Sequence, residues 1–251
     1  MIDRNELKRH LDEILAVNEI QDYCPNGLQV QGKKEIQTII TGVTASLALI
    51  EKAIEMKADA IIVHHGYFWK NESYPITGMK YQRISQLIKH DINLFAYHLP
   101  LDIHPSCGNN AQLAKRLDLK VLGPFDTNTH PSYGIICQST AISTDQLASN
   151  IEKVLDRAPL VVGPDKEQIS KIALCTGGAQ DFIEQAFHAG AEVYISGEIS
   201  ERTTHIANEL GITYIAAGHH ATERYGINAL GEHLAKQFKI DHHFIDINNP
   251  V

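Results

Sequence analysis

Residues 36–65, IQTIITGVTASLALIEKAIEMKADAIIVHH, lie without a gap over residues 169–198, ISKIALCTGGAQDFIEQAFHAGAEVYISGE. Ile36-Gln37-Thr38-Ile39-Ile40-Thr41-Gly42 falls on Ile169-Ser170-Lys171-Ile172-Ala173-Leu174-Cys175. Ile50-Glu51-Lys52-Ala53 falls on Ile183-Glu184-Gln185-Ala186, and Ala58-Asp59-Ala60-Ile61-Ile62 on Ala191-Glu192-Val193-Tyr194-Ile195. One unit accounts for both stretches: a strand, a Gly/Thr turn, an amphipathic helix and a second strand. Alternating β and α segments of this length predict parallel strands joined by crossover helices. The pattern continues, with helix-like residues 82–90 before a strand at 92–97, and helix-like residues 203–210 before a strand at 212–216. Two βαβ units can align by chance, but the gapless match favours internal duplication, so each half is expected to run β-α-β-α-β.

Between the halves, Gly123-Pro124-Phe125-Asp126-Thr127-Asn128-Thr129-His130-Pro131 is dense in turn formers. The expected division is residues 1–125 and 126–251. Residues 133–138 read as a strand, and Ser143 or Thr144 can cap a helix over residues 146–155. The terminal strand at residues 244–247 is free to return to either sheet.

Metal-grade side chains stand at the ends of three apolar runs. Ala60-Ile61-Ile62-Val63 leads into His64-His65-Gly66, and Leu94-Phe95-Ala96-Tyr97 into His98-Leu99-Pro100-Leu101-Asp102. Ile215-Ala216-Ala217-Gly218 leads into His219-His220-Ala221-Thr222-Glu223. Ligands of parallel sheets collect beyond the carboxyl ends of the strands, and imidazoles with carboxylates are the donors of zinc, manganese, iron, cobalt or nickel rather than of magnesium or calcium. A helix starting after Gly218 sets His219 and Glu223 on one face, one turn apart. A carboxylate there can bridge two cations while Asp102 supplies a further oxygen. A lone histidine doublet more often marks packed or surface rings; two doublets at matching strand ends, with carboxylates at ligand offsets, point to metal. His220 is left out of the ligand set, as an orienting or packed residue.

Glu198 in Ser196-Gly197-Glu198 occupies the repeat position of the first doublet, where a general base and a helix-start carboxylate are equally good readings. Thr176-Gly177-Gly178 and Thr41-Gly42-Val43-Thr44 match neither a P-loop nor a dinucleotide fingerprint and read as tight turns. Tyr67, Phe68 and Trp69 can stack on a planar base or roof the site. Lys70, Lys80, Arg83 and Arg202 are available to an anionic substrate, although solvated surface charge is the commoner fate of such residues.

Composition bounds the function. With 251 residues, 43% hydrophobic and 21% charged, the chain suits one large or two ordinary globular domains. A net charge of −8 argues against a nucleic-acid footprint or a polybasic membrane anchor. Residues 1–17 form an amphipathic helix with charges too frequent for a secretory signal. No apolar run approaches the roughly 18 residues of a membrane span, and the expected location is cytoplasmic. The four cysteines form no Cys-x-x-Cys pair, so reduced, buried thiols are expected. Of the fourteen histidines, His10, His90, His188, His205 and His233 read as surface or core residues. The His242-His243 doublet lies in a strand with no carboxylate following at ligand spacing.

The segments Val63-His64-His65-Gly66, His98-Leu99-Pro100-Leu101-Asp102, Gly108-Asn109-Asn110, Ser196-Gly197-Glu198 and Gly218-His219-His220-Ala221-Thr222-Glu223 resemble the Nif-three-like dinuclear-metal family. Its bacterial members carry the label GTP cyclohydrolase 1 type 2 homologue, and this chain is most similar to the YbgI-like branch. Pro25-Asn26-Gly27-Leu28-Gln29-Val30 fits as well, so the likeness spans the chain. It implies two similar, intertwined three-layer α/β/α domains and a ring-shaped homohexamer with two divalent metal ions per chain. By motif the implied ligands are His64, His65, Asp102, His219 and Glu223, with Glu223 bridging. His98 is implied as an extra ligand or acid/base, and Glu198 as its catalytic companion. The implied reaction is GTP cyclohydrolase-like, a metal-activated water attacking a purine nucleotide. A di-metal phosphoesterase or amidohydrolase and a non-catalytic hexameric metal-binding scaffold or regulatory protein are the alternatives.

Overall fold

The computed structural model describes residues 1–126 and 131–251. Two compact units emerge, one made of Met1–Cys107 and Gly226–Asn248, the other of Gly108–Tyr225 and Asn249–Val251. Each unit is discontinuous in sequence. The chain therefore changes unit three times, at 107/108, inside the helix His219–Phe238 and at 248/249, whereas the turn-rich stretch had suggested 125/126. The physical reason is that Gly123 and Pro124 of this stretch belong to a strand, Lys120–Pro124, that pairs antiparallel with Ile135–Ile142 inside the second unit. Turn formers serve hairpins and linkers alike. Thr127, Asn128, Thr129 and His130, within the expected boundary stretch, lie outside the described residues.

The first unit holds a five-stranded sheet in the order Asp241–Phe244, Thr38–Thr44, Ala60–His65, Asn93–Ala96, Gly27–Val30. The first four strands are mutually parallel and the last is antiparallel. The terminal strand thus joins the first sheet, beside Thr38–Thr44. Neighbouring strand residues face opposite sides, and the sequence is apolar on both. Ile39, Ile62 and Phe95 pack with Leu7 and Leu11 of the helix Arg4–Ile14 and with Ile227, Leu230 and Leu234 of the long helix. Ile40, Ile61 and Leu94 pack the other way, on Leu49, Ile50, Ile84 and Leu87 of the helices Leu47–Glu55 and Gly78–Lys89. That gives three layers. The Ser46 hydroxyl starts Leu47–Glu55 by accepting the Leu49 N–H at 3.3 Å, a cap worth about 1 kcal/mol.

The second unit repeats the plan in a six-stranded sheet, ordered Lys120–Pro124, Ile135–Ile142, Ile169–Cys175, Val193–Ser196, Thr213–Ala216, Leu160–Val162. Its three parallel strands are flanked by antiparallel ones. Leu147, Ile151 and Leu155 of the helix Thr144–Leu155 cover Ile172, Leu174, Ile195 and Ile215 on one face. Ile183, Ala186 and Ala207 cover Ala173, Tyr194 and Tyr214 on the other. Pairing registers agree with the sequence overlay: Ile39 faces Ala60 in the first unit, as Ile172 faces Val193 in the second. Shared order and register are what duplication would produce. No helix among the described residues is long and apolar enough to cross a membrane.

Candidate metal centre

In the first unit, His64 and His65 close the strand Ala60–His65, and His98 lies two residues past Asn93–Ala96. Asp102 ends the short helix Leu99–Asp102. These elements bring ligand nitrogens of His64, His65 and His98 within 4.8 Å of one another. Ring centroids are 4.5 Å apart for His64 and His65 and 5.0 Å for His64 and His98. His64 is fully buried, with Nδ1 3.0 Å from the Tyr97 carbonyl oxygen. A carbonyl only accepts, so Nδ1 carries a proton, and Nε2 is the nitrogen left to face the cluster. That Nε2 stands 3.5 Å from Asp102 Oδ1. A histidine donating one N–H to a carbonyl while its other nitrogen carries no proton is in the tautomer metal ligands adopt. His65 Nδ1 lies 3.3 Å from the Thr44 hydroxyl.

The second unit places His219 at the start of the long helix, between two carboxylates. Its Nδ1 is 2.6 Å from Glu198 Oε1 and its Nε2 3.2 Å from Glu223 Oε1. Glu223 is 2% exposed. The one-turn spacing read from the sequence is what aligns it with His219. Burial works against the His219 cation, but Glu223 and then Glu198 outweigh it, and the pKa rises to about 9. Without an ion, a protonated His219 would donate from Nδ1 to Glu198 and from Nε2 to Glu223. With a divalent ion, a neutral His219 would keep its Nδ1–H on Glu198 and give up Nε2. Nitrogen and oxygen donors of this kind, buried and already oriented, fit a divalent transition ion.

Several groups carry roles that motif spacing did not disclose. Gly177 reads as a tight-turn residue, yet at φ +72° a Cβ on it would fall 2.3 Å from Glu223 Oε1 and 3.2 Å from His219 Nε2. Its N–H donates to the Thr222 hydroxyl at 3.1 Å. Asn110 supports the same turn, accepting the Thr176 N–H at 2.9 Å and donating to the Tyr133 carbonyl at 2.8 Å. In the first unit, Asp22 Oδ1 lies 2.8 Å from His98 Nδ1.

Other candidates settle differently. Tyr67 is buried and its hydroxyl donates to the Ala45 carbonyl at 2.7 Å, so it serves the core. Trp69 sets its ring edge against His98, with centroids 4.9 Å apart, and roofs the cluster. Lys80 pairs with Glu72 and Arg202 with Asp181. His242 lies 2.7 Å from the Thr41 hydroxyl. None of the four cysteines forms a disulfide, and burial pushes the Cys24 and Cys137 thiols up to about 12.

Comparison with known proteins gives the site its setting. The family described as Duf34/NIF3 (NGG1p interacting factor 3) matches residues 2–250. A Vibrio cholerae protein named GTP cyclohydrolase 1 type 2 homolog is 56% identical over 252 residues, covering 98% of each chain. Among solved structures, protein ybgI, described as of unknown function, superposes with a TM-score of 0.95 at 48% identity and 100% coverage of both chains. A Thermus thermophilus protein does so at 0.91 and 32% identity, again over 100% of both chains.

Proposed function

This chain belongs to the Duf34/NIF3 family, and from that membership we propose that it is a divalent-metal-dependent hydrolase of a purine nucleotide, GTP cyclohydrolase-like. His64, His65 and Asp102 with His219 and Glu223 hold two divalent ions per chain, and the chain works as a homohexamer. The observation that carries the reading is His219, clamped between Glu198 and Glu223 with its nitrogens 2.6 and 3.2 Å from them. Carboxylate–histidine pairs of this kind orient and enrich a metal ligand. The name of the Vibrio cholerae relative supports the choice of substrate class.

Bound divalent ions supply Lewis acidity toward water and toward a polarised substrate oxygen. The protein's own groups do the rest. Glu198, with a side chain 40% exposed, accepts the His219 Nδ1–H and could take a proton from the attacking water and pass that proton to the leaving group. Burial of His64 and Glu223 excludes water from their ring and carboxylate, so each is presented without solvent reorganisation.

The test is formate release from GTP by zinc-loaded or manganese-loaded protein, with Glu223→Ala as the inactive control. Tight retention of metal with no formate would move the assignment to another hydrolytic reaction or to a scaffold. Loss of release in Glu223→Ala but not in wild type supports the cyclohydrolase reading.

A further inference from the structure

Residues 22–29, DYCPNGLQ, tie together two strand ends of the first unit. Asp22 is the hub. Its Oδ1 accepts the Tyr23 N–H at 2.6 Å, and its Oδ2 accepts the Leu99 N–H at 2.9 Å and an Asn26 amide proton at 2.9 Å. The Asn26 orientation is not arbitrary, because its Oδ1 accepts the His98 backbone N–H at 2.8 Å, which turns its NH2 toward Asp22. Backbone N–H groups are obligatory donors. A carboxyl group surrounded by such donors is an acceptor, and His98 Nδ1, 2.8 Å from Oδ1, is one more donor to it.

We propose that Asp22 is a positioning residue that locks His98 with its proton on Nδ1, so that the ring meets the His64–His65 pair as a lone-pair donor through Nε2. Trp69, Gln29 and Gly66 hold the arrangement. Trp69 packs edge-on against the His98 ring at 83° while its Nε1–H donates to the Gly66 carbonyl at 3.1 Å. Gln29 accepts the Tyr67 N–H at 2.7 Å and donates to the Tyr67 and Pro25 carbonyls at 3.0 and 2.9 Å. A Cβ at residue 66 would fall 2.2 Å from Gln29 Oε1, so only glycine admits this clasp directly after His65. One eight-residue segment therefore sets both the His98 ring and the exit of the chain from the histidine pair.

Asp22, Cys24 and His98 also lie within 4.8 Å of one another by their ligand atoms. They do not make a second ion site. Both Asp22 oxygens are engaged by N–H groups, and the Cys24 thiol is pushed up to about 12 by burial and by the Asp22 charge. Thiols bind metal as thiolates.

Only the consequence for ion binding rests on the di-metal reading above; the tautomer does not. The test uses the full chain, chelator-treated and 15N-labelled at histidine, in buffer alkaline enough that imidazoles are neutral. Long-range 1H–15N correlation should show His98, identified by its disappearance in H98Q, with a protonated Nδ1 and an unprotonated Nε2. Zinc added alone should shift the Nε2 resonance. In Asp22→Ala the proton should redistribute toward Nε2, and zinc affinity should fall about 10–100-fold. Asp22→Ala combined with H98Q should bind zinc no more weakly than H98Q alone. A proton on Nε2 in the wild type overturns the proposal and needs no variant to fold. So does an Asp22→Ala loss that adds fully to that of H98Q, since Asp22 would then act on something other than His98. Protein with the expected tautomer that binds zinc but releases no formate from GTP removes the cyclohydrolase reading and leaves this one standing.

Discussion

Val63 and Ser196 hold the same place in two sheets, paired with Ala96 and Ala216, yet the chain leaves them by different chemistry. After Val63 come two imidazoles, one fully buried with its proton on a carbonyl. After Ser196 come a glycine and Glu198, and the imidazole that meets it, His219, sits on the long helix between two carboxylates. One strand end is rich in ring nitrogen, the other in carboxylate oxygen. Apolar residues inside the strands keep register because each is held by packing on both faces. Residues just past the strand ends carry no such duty and are free to diverge. The contrast extends one step upstream, where the overlay puts Thr44 opposite Gly177. Thr44 has room to touch His65 with its hydroxyl, whereas Gly177 has a carboxylate where its Cβ would be.

The largest expected effect attacks the oxygen-rich end. Glu223→Ala should lower zinc affinity by more than about 100-fold in calorimetry, since it removes a ligand rather than its support. Unchanged affinity would break the division of labour between the two strand ends. Next comes Gly177→Ala, which forces a Cβ against Glu223 at positive φ and should cost about 2–3 kcal/mol in urea unfolding. A neutral outcome would show that Glu223 relaxes freely.

A gentler effect follows from His219 in the metal-free protein. Its pKa is raised from 6.5 to about 9 because the two carboxylates outweigh burial. A raised folded-state pKa contributes stability that is fully present below the unfolded value and is lost as pH rises through the folded one. Urea midpoints of the chelated protein should therefore decline between pH 6.5 and about 9, and less so in Glu198→Gln. A flat profile in the wild type would mean the two carboxylates do not stabilise the His219 cation. The smallest effect belongs to Thr44→Ala, which gives up one long contact to His65 and should cost about 0.5 kcal/mol. A cost matching that of Gly177→Ala would erase the contrast between the two positions.

Much of the architecture was legible as periodicity. The repeated strand–helix–strand pattern foretold the parallel core of both sheets, because buried strands announce themselves as apolar runs; the register came from the structure. The turn-rich stretch misled about the boundary, since the same residues make hairpins and linkers. The destination of the terminal strand stayed open, because an edge strand's partner depends on which sheet has a free edge.

Residue types at the strand ends, and the one-turn spacing of His219 and Glu223, are properties of the chain alone. Backbone geometry turns such local spacing into shared faces without help from the rest of the molecule. Which ring nitrogen keeps its proton is another matter. The Tyr97 carbonyl on His64, Glu198 on His219, and Asp22 on His98 from 76 positions away all act across the fold. Hydrogen bonds reach about 3 Å, and only folding decides which distant groups come that close.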